Sequence, residues 1–236
     1  METMLPGRLP HSTLWTAALL LWLGMGTLGH IRRKNLHTII NYITRFGVDE
    51  QYSFAVSLSR TYCDNPSGLE QELREDELTS MQAAINQKGG LYDPKEGHIV
   101  AARVNCLGRA GQHTEWRLLR GHRQSPVGKL LARTYKSSSC LIFFTLNSPC
   151  VGTCLQKKGP YNILKMVSDT FRHISKNYKA FVFQQIYKRD WESEKRRSLL
   201  QAWHRLDNVP LLLCNNNGYR DCRGNNPNTN RCLPRM

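Results

Sequence analysis

The sequence predicts an α/β domain: a three-layer α-β-α sandwich around a five-stranded mixed sheet, mostly parallel, whose last two strands run parallel. Three observations carry this. Helical and strand periodicities alternate from residue 35 to residue 213. Residues 140–146 (CLIFFTL) form a continuous apolar run, which marks a strand covered on both faces. A helix of about four turns over residues 192–205 separates two apolar strands, 180–187 and 209–213, so the chain must cross over and return in the same direction.

The elements follow in order. Residues 35–46 place Leu36, Ile39, Ile40 and Ile43 at helical spacing, and Gly47 stops them. Residues 52–58 (YSFAVSL) alternate as a strand does. The stretch 64–96 is polar and acidic, with a short helix at 78–85 closed by Gly89 and Gly90, and residues 99–104 (IVAARV) read as the second strand. A helix starts at 113–120 and breaks at Gly121; Ser125 then caps, and Pro126 opens, a further helical piece through 133. After the 140–146 strand, a helix over 161–178 sets Ile163, Leu164, Val167, Phe171 and Ile174 on one side. The 192–205 helix carries Leu199, Leu200 and Trp203 opposite a basic face. From 214 to 236 periodicity is lost in a Cys- and Asn-rich, loop-rich tail.

The chain of 236 residues is 40% hydrophobic, too apolar for a disordered polymer. Residues 14–28 (LWTAALLLWLGMGTL) hold no charge, follow Arg8 and His11, and end in a small-x-small pattern at Gly29. Residues 1–29 therefore read as a secretory signal peptide, the run being shorter than the roughly 20 residues a membrane anchor needs. The domain proper is then 30–213, the tail 214–236, and the mature chain is expected to be secreted, free of stable membrane association. The net charge of +15 is uneven: residues 1–100 carry 9 basic and 11 acidic side chains, residues 101–236 carry 24 and 7. Such a half attracts phosphate-rich polymers, or merely keeps a surface soluble.

Two short motifs carry chemistry. His113-Thr114-Glu115 opens a helix, and Pro149-Cys150 with Cys154 leaves the end of the apolar strand. One imidazole and two thiolates make a three-ligand Zn2+ site with a fourth position open, the pattern of a catalytic zinc. Glu115, two residues from the ligand histidine, stands near the metal without binding it and can move protons. An H-x-E occurs by chance in roughly a third of chains of this composition, but together with the Pro-Cys motif in only about 1%. The rival reading of Cys150 and Cys154 is a disulfide. His122 and His173 read as structural.

With a strand ending in Ile186-Tyr187 followed by Lys188, Arg189, Asp190 and Trp191, the chain resembles the AID/APOBEC polynucleotide cytidine deaminases over about residues 36–213. The leader and extra cysteines make it most similar to the secreted AID/APOBEC-like branch. The resemblance implies the cytidine-deaminase type of sheet, zinc on His113, Cys150 and Cys154, and Glu115 as proton shuttle. It further implies hydrolysis of cytosine to uracil in single-stranded DNA or RNA, and a role in immunity. Tyr187 and Trp191 are then base-stacking candidates beside the phosphate-holding Lys188 and Arg189. Asn147 stands where better-known members have Trp, which alters the floor of the base pocket, and residues 125–136 stand as an insertion.

Two other function classes fit the composition: a deaminase of free nucleosides or nucleotides, which needs no basic half, and a non-catalytic secreted polyanion-binding protein. Setting the metal pair aside, Cys63, Cys106, Cys140, Cys214, Cys222 and Cys232 are disulfide candidates, with at least one bridge expected among the last three to pin the tail.

Overall fold

The computed structural model describes residues 31–106, 111–191, 195–216 and 218–233. The leader read at 1–29 lies outside them, as do the first residues of the predicted 192–205 helix. The chain order is α1 (Arg33–Thr44), β1 (Tyr52–Ser59), α2 (Arg60–Asp64), α3 (Glu75–Asn86), β2 (Leu91–Tyr92), β3 (Ile99–Arg103), α4 (Thr114–Leu119), α5 (Pro126–Thr134), β4 (Ser139–Asn147), α6 (Leu164–Arg172), β5 (Lys179–Gln185), α7 (Arg196–Trp203), β6 (Leu211–Asn215) and β7 (Gly218–Asp221).

The strands form one sheet of seven in the order β2-β3-β1-β4-β5-β6-β7. Five strands were expected. The additions are β2, a two-residue edge on β3, and β7, which pairs antiparallel with β6 inside the segment expected to be a loop-rich tail. The predicted parallel pairing of the last two core strands, β5 and β6, holds, and β4 and β5 are parallel too. The sheet is nevertheless not mostly parallel, because β1 runs antiparallel to both β3 and β4. The long acidic connection between β1 and β3 returns the chain in the opposite sense, whereas α6 and α7 serve as crossovers.

Helices on both faces bury β1 almost throughout, its serines included, so its sequence alternation does not mark a wet face. On one side Leu36, Ile39, Ile40 and Ile43 of α1 and Leu78, Met81 and Ile85 of α3 pack on Phe54, Ile142 and Phe144. On the other, α4 to α7 cover Leu141, Phe143, Phe181 and Phe183. Each such fully buried side chain contributes about 1.5–3 kcal/mol of transfer free energy. The α5 start is as expected: Ser125 Oγ accepts from Gly128 N at 2.9 Å, and Pro126 follows. Gly128 is required there, since a Cβ would lie 2.2 Å from His122 O. The predicted 161–178 helix is shorter, because residues 155–163 form a loop around Gly159 and Pro160 and the chain turns after Arg172.

Cys63 bridges Cys140, tying α2 to β4, and Cys222 bridges Cys232. The second bridge closes the tail on itself; β6–β7 pairing joins the tail to the domain. Cys106 and Cys214 are unpaired.

Candidate active site

The parallel pair β4 and β5 ends on one side of the sheet, and open α/β sheets bind ligands at that end. From β4 the chain leaves through Ser148 and Pro149 into a turn holding Cys150 and Cys154. The turn is not regular helix. Its shape is set by Leu155 N donating to Cys150 O at 3.1 Å and Ile163 N to Cys154 O at 2.9 Å. Arg205 also donates to Leu155 O at 2.9 Å, and Trp116 Nε1 to Pro160 O at 3.1 Å, fastening the following loop to the turn after α7 and to α4.

His113 is the residue before α4 and turns its ring to this pocket. Its Nδ1 lies 3.7 Å from Cys150 Sγ and 3.2 Å from Cys154 Sγ, and the two sulfurs are 3.7 Å apart. Zn–S bonds of about 2.3 Å and a Zn–N bond of about 2.0–2.1 Å at tetrahedral angles put sulfur atoms about 3.8 Å apart and sulfur and nitrogen about 3.6 Å apart. The donor set and its spacing fit a metal ion. A disulfide needs sulfurs about 2.05 Å apart, so the rival reading of Cys150 and Cys154 fails. Both thiols are buried, and the Cys150 thiol is held down to about 4, chiefly through its hydrogen bond with Cys154, while the Cys154 thiol is pushed well up by the same bond and by burial. The hydrogen bond to Cys150 raises His113. A divalent cation bound there would favour the thiolate form of both cysteines.

Glu115, one residue into α4, is buried. Burial raises its carboxyl above the ordinary carboxylate range, opposed by hydrogen bonds. Thr114 Oγ1 donates to its Oε2 and Thr145 Oγ1 to its Oε1, both at 3.1 Å. Gln51 Nε2 donates in turn to Thr114 Oγ1 at 3.2 Å and to Thr145 Oγ1 at 2.9 Å. Ser53 Oγ lies 2.6 Å from Thr114 Oγ1.

The segment after β5 closes the same end. Tyr187 N donates to Ser148 Oγ at 3.0 Å, and the buried Asp190 accepts from Val151 N at 2.9 Å. The proposed substrate loop is therefore clamped to the cysteine turn. Tyr187 is half-buried against the core, Lys188 and Arg189 are exposed on a 3-10 turn, and Trp191 is 52% exposed. Asn147, at the end of β4, faces Gln185 across the strand pair. The structure brings the expected His113, Cys150 and Cys154 together; the sequence reading passed over Gln51, Ser53, Thr114, Thr145, Gln185 and the clamp made by Asp190. Alternation was the available signal: Gln51 and Ser53 share a strand face, as do Thr145 and Asn147.

An imidazole and two thiols converging beside a buried carboxylate, at the ends of two parallel strands, define an α/β protein of the deaminase class. The chain belongs to the family described as Secreted Novel AID/APOBEC-like Deaminase 1, which matches residues 33–236. Neither a curated relative nor a solved structure matches it.

Proposed function

We propose that this protein is a zinc-dependent deaminase that hydrolyses cytosine to uracil in single-stranded DNA or RNA. The observation that carries this reading is the triangle of His113 Nδ1, Cys150 Sγ and Cys154 Sγ beside the buried Glu115. His113, Cys150 and Cys154 would hold the zinc, which when bound would acidify a water and so make it a nucleophile at neutral pH. Glu115 takes the proton of the attacking water and delivers it to N3 of the ring. The water oxygen bonds to C4; Glu115 next takes the remaining hydroxyl proton of that adduct and passes it to the amino group, and the C4–N bond breaks to release ammonia as the C4 carbonyl of uracil forms. Thr114 and Thr145 keep the carboxylate turned to this task.

A stacked base in a duplex is out of reach, so the substrate is single-stranded or flipped. The exposed Trp191 and half-buried Tyr187 offer stacking faces, Lys188 and Arg189 offer charge for phosphates, and Asn147 contributes to the pocket floor. The basic 101–236 half supports a polyanionic partner over a free nucleoside. Secretion is supported by the family description, by two disulfides, and by a leader at 1–29 of signal-peptide character. Among the described residues no helix is long and apolar enough to cross a membrane. A secreted deaminase of polynucleotides suits a role in immunity, against nucleic acid met outside the cell.

The test is incubation of the mature protein, carrying zinc, with single-stranded DNA and RNA, reading C-to-U conversion by sequencing. Conversion by the wild type and its loss in Glu115→Gln support the mechanism. Conversion that persists in Glu115→Gln rules it out.

A further inference from the structure

The sheet register brings three carboxamides into one row. Asn147 on β4 is paired with Gln185 on β5, and Ser53 on β1 is paired with Thr145 on β4. Two residues back from Ser53, at the level of Asn147, stands Gln51. The row Gln51, Asn147, Gln185 thus runs from the residue that leads into β1 across the ends of β4 and β5, on the side of the sheet that holds the cysteine turn. Its side chains are joined: Gln185 Nε2 donates to Asn147 Oδ1 at 2.9 Å, and Asn147 Nδ2 donates to Gln51 Oε1 at 2.6 Å.

The direction of every bond in this row is settled by one backbone group. Asn147 N donates to the side chain of Gln51 at 3.0 Å, and an amide N–H can only donate. The accepting atom is therefore the Gln51 oxygen, which leaves its NH2 group facing Thr114 and Thr145. That oxygen has both lone pairs filled, by Asn147 N and Nδ2, so the Gln51 amide cannot flip without losing both. Its two N–H groups each meet one threonine hydroxyl. Each hydroxyl, its acceptor side occupied, has its hydrogen left for one oxygen of Glu115. Thr114 also takes the Ser53 hydroxyl on its remaining lone pair, because its own hydrogen is spent on Glu115.

We infer that Gln51 is a positioning residue, which orients the Glu115 carboxylate by fixing the direction of both threonine hydroxyls that hold it. This rests on the reading of Glu115 as proton shuttle. Gln51 touches neither the carboxylate nor the metal-ligand triad. Its effect is transmitted through two hydroxyl rotors whose acceptor sides, without it, are unfilled, so that each can swing its hydrogen off Glu115 to another partner. The partners lie 63 and 94 residues away in sequence, so the geometry exists only in the assembled sheet.

The experiment compares Gln51→Ala and Gln51→Glu in the zinc-loaded mature protein on a single-stranded cytosine substrate. Gln51→Ala is expected to lower kcat by roughly 10- to 100-fold, the scale of a misplaced catalytic group, with KM and zinc content within about twofold of wild type. Gln51→Glu, nearly isosteric, is expected to be worse than Ala, because its second oxygen draws the threonine hydrogens away from Glu115. A merely structural role predicts the reverse ranking. Thr145→Val should add little to Gln51→Ala, since both break one path. Unchanged kcat in Gln51→Ala, or a Gln51→Glu variant more active than Gln51→Ala, overturns the inference. If the wild type shows no deamination, the function reading fails, and the Gln51 side-chain NH2 resonances still decide this one. Slow exchange with solvent, lost in Thr145→Val, sustains the row of bonds; fast exchange in the wild type removes it.

Discussion

On β4, Cys140, Ile142 and Phe144 turn to the face covered by α1 and α3, whereas Leu141, Phe143 and Thr145 turn to the face covered by α4 to α7. The first face is apolar along its length and is locked by the bridge from Cys63 to Cys140. The second is equally apolar at its centre, where Phe143 stacks on Phe181 at 4.8 Å, but changes character near the strand end. There Thr145 and Asn147 replace hydrocarbons with hydrogen-bonding groups. One run of alternating residues therefore builds both a scaffold and a reactive centre. The polar groups are tolerated because each is bonded before it is buried: Thr145, wholly buried, both donates and accepts.

The sharpest way to separate the two faces is to remove a thiol from the second. Cys154→Ser should cut bound zinc from one equivalent to almost none and abolish deamination, while far-UV circular dichroism stays near wild type; a variant that keeps full zinc would sink the assignment of that ligand. Emptying the core comes next. Phe144→Ala, on the scaffold face, should cost about 3–5 kcal/mol in denaturant unfolding, with zinc content of the folded protein unchanged, whereas loss of zinc at full stability would erase the distinction. Opening the bridge on the same face, with Cys63→Ser and Cys140→Ser together, frees a loop of 77 residues and should cost about 2–5 kcal/mol. Equal unfolding midpoints with and without the bridge would contradict this. At the rim of the second face, Trp191→Ala should weaken single-strand binding by about 1–3 kcal/mol without moving the melting temperature, and unaltered affinity would remove it from the strand path. The smallest effect belongs to the exposed pair of Arg74 and Asp76, where Arg74→Ala should leave the denaturant midpoint where it is in the wild type; a clear fall in midpoint would show the pair to matter.

How much of this was legible in the sequence follows from how local each feature is. The candidate metal ligands lie in two compact motifs, and each motif sits at an element end that periodicity already marks, so three distant residues could be brought together on paper. The core helices and the five central strands were legible for the same reason, since apolar spacing is a local signal. The support for Glu115 was not. Gln51 precedes β1 as an unremarkable polar residue, and its meaning comes from Asn147, 96 residues on, through strand register. The β7 strand was hidden by composition. Gly218, Tyr219, Arg220 and Asp221 follow an asparagine-rich run, and they become a strand because β6 offers an unpaired edge. The expectation of a mostly parallel sheet failed at β1 and β3 because a long connection permits either sense, and nothing in its residues chooses.

The two outer strands bear on how the molecule behaves among its own copies. An open sheet offers an unpaired ladder at each side, and long, flat, apolar rims recruit further strands and begin fibrils. Here one rim is β2, only two residues long, and the other is β7, four residues long and carrying Arg220 and Asp221, with Arg220 reaching back to Arg231 O at 3.0 Å. Neither rim provides the length or the bare hydrocarbon that templated growth requires. Self-association by sheet extension is thereby discouraged at both sides, so the copies are kept apart by the shape of the sheet rims as well as by the repulsion of a net +15 charge.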